Sequence, residues 1–87
     1  MPSEASKLLE RMRQSKEGWT RKELDSLYEG FGFKIRHGAS HDVATHPDYP
    51  QLRETLPRNR KVPSYLIHNA VKLIDRLINL QEADKNA

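Results

Sequence analysis

Eighty-seven residues with a net charge of +3 and no cysteine leave room for one domain and exclude disulfides and thiolate-metal centres. Charged residues make up 31% of the chain, which predicts a thin core beneath a well-solvated surface. The positive balance is a mild bias toward polyanions, and the lack of cysteine fits a reducing compartment, so a cytoplasmic location is expected.

Residues 1–18 carry acidic side chains where the basic region of a signal peptide would lie, and no apolar run of sufficient length. No secretion leader is expected from them, and no stretch of the chain has the length of a membrane span. They predict a helix over about residues 4–16, capped by Ser3, with Ala5, Leu8, Leu9 and Met12 on one narrow apolar face. That stripe is expected to dock weakly on the body or to await a partner, so residues 1–18 are set apart as an N-terminal extension. The second helix is better specified. Thr20 and Glu23 have the spacing of a capping box, and Trp19 and Leu24 that of a hydrophobic staple. Leu24, Leu27, Tyr28 and Phe31 form its apolar face, and Gly32 is its expected stop.

The period then changes. Phe33, Ile35 and His37 alternate with Lys34 and Arg36, the pattern of a strand with one buried face. Gly38 and Ala39 predict a turn, residues 40–46 a second strand, and the stretch from Pro47 to Pro50 a stiff loop. Residues 51–56 predict a third strand with Leu52 and Leu56 on one side, followed by the basic connector of residues 57–62. In the second strand Val43 is the obvious core residue, which by strand parity turns His41 inward as well, unless the edge position of His41 frees it. A last helix starts near Pro63 or Ser64 and presents Leu66, Ala70, Leu73, Ile74 and Leu77 as a broad stripe. Residues 82–87 are expected to be a polar tail. The fold class expected is α+β. An αβββα domain over residues 19–81 has a three-stranded antiparallel meander covered on one face by two helices, with the other face open.

An αβββα unit with an open sheet face resembles the double-stranded-RNA-binding domains. The run from Gly38 through Ser40 and His41 to His46 and Pro47 resembles the hairpin signature of the HicA toxin family: glycine, serine, histidine, a few strand residues, then histidine-proline. The preceding leucine-rich helix with Gly32, Phe33 and the basic strand of Lys34 and Arg36 resembles that family too, as do residues 50–65. The likeness spans about residues 19–80. It implies a bacterial messenger-RNA-cleaving toxin, neutralised by a HicB-like antitoxin protein, with His41 in the catalytic position. Two residues depart from the pattern: Ala39 stands where the family has a glycine, and Ala44 where it has a large apolar residue.

The chemistry is consistent with that likeness. RNA carries its own nucleophile, the 2′-hydroxyl, so cleavage needs proton transfer and charge stabilisation but no metal and no small-molecule cofactor. A histidine titrates near neutrality and can move that proton. Lys34, Arg36, Arg58, Arg60 and Lys61, with the Ser40 hydroxyl, are the candidates for holding phosphate. His37 or His46 is available for a second proton transfer. Histidines at 37, 41 and 46 match no standard zinc spacing, and Ser40 lacks the base and orienting group of a serine hydrolase. The competing functions are an RNA-binding module without catalysis and a HicA-like domain that serves only to bind a protein.

Overall fold

The computed structural model describes residues 3–85. The elements run α1 (Glu4–Gln14), α2 (Arg21–Gly30), β1 (Lys34–His37), β2 (Asp42–Thr45), β3 (Arg53–Leu56) and α3 (Ser64–Lys85). This is the expected α+β architecture. The strands form one antiparallel sheet in the order β1-β2-β3, with Ile35 opposite Ala44 and Ala44 opposite Glu54.

The local signals act as the sequence predicts. Ser3 accepts the Ser6 amide and caps α1. Thr20 accepts from the Glu23 amide while the Glu23 carboxylate accepts the Thr20 amide at 2.9 Å. Trp19 and Leu24 are both buried at that end, Trp19 further held by an indole N–H donated to the Ser15 carbonyl at 2.8 Å. Phe31 caps α2, and Gly32 follows at φ +90°. The predicted second and third strands are shorter than expected. Paired turns take up residues 46–52, with the Tyr49 amide on the His46 carbonyl and the Leu52 amide on the Tyr49 carbonyl.

The helices cover one face of the sheet, α2 lying over β1 and α3 over β3. Leu27, Tyr28, Leu56, Ile67, Ile74 and Leu77 are fully buried between these layers. Three expectations need correction. Within the N-terminal extension, α1 is not loosely attached: it packs on both α2 and α3, burying Ala5 against α2 and Leu9 and Met12 in the same core. The approach is close enough that a Cβ on Gly30 would lie 2.3 Å from the Ala5 Cβ, so α2 needs a glycine there. The Arg13 guanidinium also holds the Asp75 carboxylate of α3, with one N–H···O bond of 2.9 Å. Second, α3 continues through residues 82–85, expected as tail. Its end is tied down by the Tyr49 hydroxyl, which donates to Asp84; residues 86–87 lie outside the described residues. Third, the parity of β2 is the reverse of the one its apolar residue suggests: Asp42 and Ala44 are buried, and Val43 and Thr45 lie half-exposed on the open face. Among the described residues no helix is long and apolar enough to cross a membrane.

Candidate nucleic-acid interface

Cross-strand partners share a face of a sheet, so the register defines what the open side presents. One row is Lys34, Thr45 and Arg53, and the next is Arg36, Val43 and Thr55. The three cations of these rows are exposed. A shallow depression on this face is lined by Arg36, Val43, Thr45 and Arg53, closed at the turn end by His37 and Gly38. Arg53 is a member of this surface that the sequence did not single out. Its place depends on the β2–β3 register, which aligns it with Thr45 and through that with Lys34.

The β1–β2 turn stands at one end of the sheet. The Gly38 amide donates to the His41 carbonyl at 3.0 Å. A Cβ on Gly38 would come within 2.7 Å of that same oxygen, so the turn closes only around a glycine. Ser40 and His41 are exposed in it. His41 is therefore not turned into the core. It precedes β2 in phase with Val43 and Thr45, which face outward. Ala44, by contrast, is fully buried on the covered face.

Asp42 is the hub of the site. Its side chain is only 5% exposed, yet it receives Arg21 Nη2 at 2.8 Å, Arg58 Nε at 3.1 Å and His37 Nδ1 at 3.0 Å. Burial pushes the Asp42 carboxyl up, but the hydrogen bonds from Arg21, His37 and Arg58 and the Arg21 charge outweigh it and hold the pKa at about 2. Arg21 is itself anchored, donating Nε to Asp25 at 2.6 Å and Nη1 to the Pro57 carbonyl at 2.6 Å. Arg21 and Asp42 are members of this cluster that sequence reading missed. They lie 21 residues apart in the chain, and no local sequence signal links them.

The other sequence-derived candidates divide. Lys34 and Arg36 lie on the open face. Arg58 does not project as a free cation: besides Asp42 it donates to the carbonyls of Gly38 and Ala39, the latter at 3.3 Å. It clamps the turn that carries His41. Arg60 and Lys61 are exposed beside the start of α2, where the Arg60 carbonyl accepts the Arg21 amide at 2.8 Å and Lys61 pairs with Thr20. They are thus separated from the two cationic rows. Of the remaining histidines, His46 is buried between Phe33 and Tyr49, and its Nδ1 accepts the Asp48 amide at 3.1 Å. It is a core residue, unsuited to proton transfer with a substrate. His37 is exposed, with Nδ1 committed to Asp42. Among the described residues no three His, Asp or Glu side chains converge as metal ligands do. No family model, curated protein or solved structure matches the chain.

Proposed function

We propose that the chain is a metal-independent RNA endonuclease of the HicA kind, a toxin that cuts messenger RNA in the bacterial cytoplasm and is held in check by a HicB-like antitoxin. The observation that carries this reading is the pairing of an accessible imidazole, His41, at a rigid turn with an open sheet face bearing Lys34, Arg36 and Arg53. The cations offer charge-assisted hydrogen bonds to successive phosphates. The imidazole offers proton transfer at neutral pH. RNA supplies the nucleophile, and its 2′-oxygen attacks the neighbouring phosphorus to leave a cyclic phosphate and a free 5′-hydroxyl. Charge building on the phosphoryl oxygens is balanced by the guanidinium groups of the same face. Arg58 contributes by fixing the turn, and Ser40 stands beside His41 as a hydroxyl able to contact phosphate.

A second reading, RNA binding without cleavage, is favoured by the row of Lys34, Thr45 and Arg53, which can hold a phosphate backbone with no help from a histidine. Incubation of the purified protein with labelled single-stranded RNA in excess chelator separates the two. The endonuclease reading expects 5′-hydroxyl and cyclic-phosphate ends that disappear in His41→Ala, with RNA still bound. Retained binding with no cleavage by the wild type favours the module. Neither binding nor cleavage rejects both and leaves a protein-binding domain.

A further inference from the structure

Val43 is an apolar side chain left half-exposed on the open face, while Asp42 and Ala44 of the same strand are buried. Its cross-strand neighbours are Arg36 on β1 and Thr55 on β3. One step further from the turn, Thr45 stands between Lys34 and Arg53. These two rows carry no carboxylate. Val43 is thus the apolar floor of the depression, with Arg36, Thr45 and Arg53 around it. The depression has a volume of about 480 Å³, within the range of about 300–1,000 Å³ typical of small-ligand sites. An apolar floor among cations suits a flat, polarisable group with negative charge on either side of it. A nucleotide in a strand has that form: a base for the floor, and phosphates before and after it for the cations.

Resting on the endonuclease reading above, we infer that the depression binds one unpaired nucleobase of the RNA, seated on Val43, and that the linkage cut is the one on the 3′ side of that nucleotide. His41 is the next residue along the same face. The hydrogen bond from the Gly38 amide to the His41 carbonyl continues the β1–β2 register to it. It therefore stands one strand step from Val43, about 7 Å by the rise of two residues. A base on Val43 leaves its own ribose, with the 2′-hydroxyl, and its 3′-phosphate toward the turn and His41. Arg36, directly across from Val43, is the cation for that phosphate, and Lys34 and Arg53 at the far end are those for the phosphate before it. Such a site selects unpaired RNA, because a base paired and stacked within a duplex cannot lie on a sheet surface. The substrate class thus differs from that of the double-stranded-RNA-binding domains that the element order resembles. Thr45 offers a hydroxyl that both donates and accepts, so the site tolerates more than one base.

The test measures binding and single-turnover cleavage in chelator by the full chain, as wild type and as Val43→Ser. The substrates are a short single-stranded RNA, its duplex, and the same strand with an abasic ribonucleotide, which keeps its 2′-hydroxyl, at each position in turn. Removing the base immediately 5′ of the cut is expected to cost the wild type about 10-fold in affinity. Val43→Ser is expected to lose a similar factor on the intact strand and almost nothing further on that abasic strand, because the two changes remove one contact. The duplex is expected to stay uncut. The abasic series on the wild type needs no variant and does not depend on how well Val43→Ser folds. An abasic series that binds evenly or is weakest elsewhere, losses from the abasic position and Val43→Ser that multiply, or a duplex cut as fast as the single strand each overturns the base site while leaving the endonuclease reading intact. Binding without cleavage overturns the endonuclease reading, and the base site then stands or falls on the same binding series. Neither binding nor cleavage overturns both.

Discussion

Arg58 of the connector and Asp42 of β2 meet at 3.1 Å, Nε to Oδ1, and the rest of the Arg58 guanidinium reaches back to the carbonyls of Gly38 and Ala39. One side chain thus ties a strand to the turn that precedes it. Arg58→Ala is expected to lower stability by about 1–2 kcal/mol, the range for charge-assisted hydrogen bonds that remain partly in water. It should also speed exchange of the Gly38 amide more than that of amides in α2. Arg58→Lys keeps the charge but not the fork and should restore little. Urea denaturation with amide exchange checks this; an unchanged Gly38 rate would show that the turn closes without the clamp.

Met12 is fully buried although it belongs to the first helix. Met12→Ala is expected to destabilise the whole protein by about 2–5 kcal/mol, as truncation in a packed core does. The unfolding transition should remain single. Two transitions, or no loss of stability, would mean that α1 is an independent appendage.

The Asp42 carboxyl titrates lower in the folded chain than in the unfolded one, with a folded pKa of about 2. Its contribution is therefore complete above the ordinary aspartate range, about 3.9, and is lost as the pH falls from there through about 2. Asp75, held down by the hydrogen bond from Arg13, acts in the same direction. The gap in denaturation midpoint between the wild type and Asp42→Asn is expected to be widest at neutral pH and to close across that acid window. A gap that stays constant with pH would contradict the ion-pair account.

Lys34, Arg36 and Arg53 belong to one face, and Arg60 and Lys61 do not. Removing any of the first three is expected to reduce the slope of log affinity for single-stranded RNA against log salt by about 0.7, the release expected for one phosphate contact. Substitutions of Arg60 or Lys61 should change it less. Binding titrations at several salt concentrations decide the point. Equal effects from both groups would move the RNA path off the sheet.

Much of the fold is legible in the residues because local signals and tertiary packing agree. Thr20 with Glu23, Trp19 with Leu24, and the alternation from Phe33 to His37 each specify one conformation that the rest of the chain leaves in place. Where reading fails, a distant partner decides. Val43 looks like the core residue of β2, but Asp42 is the buried one, because Arg21 and Arg58 neutralise it from either side and Ala44 supplies the small apolar neighbour. The polar residues after Leu80 look unsuited to a helix, yet Tyr49 reaches Asp84 and α3 continues. At the candidate site, the placement of Lys34 and Arg36 follows from strand alternation, whereas the exposure of His41 depends on the reversed parity of β2. Arg53 required the β2–β3 register, and the tie between His37 and Asp42 required the pairing of β1 with β2. Arg58 was legible as a cation but not as a clamp, since the carbonyls it binds carry no sequence signal.

The most direct test is induced expression of the wild type beside His41→Ala in bacterial cells lacking the antitoxin, with growth and messenger-RNA integrity followed together and the folding of both proteins verified. The account predicts that the wild type halts growth as its transcripts are cut, and that His41→Ala accumulates as a folded protein with intact RNA and normal growth. Equal RNA loss with both proteins, or intact RNA with an abundant folded wild type, would contradict it.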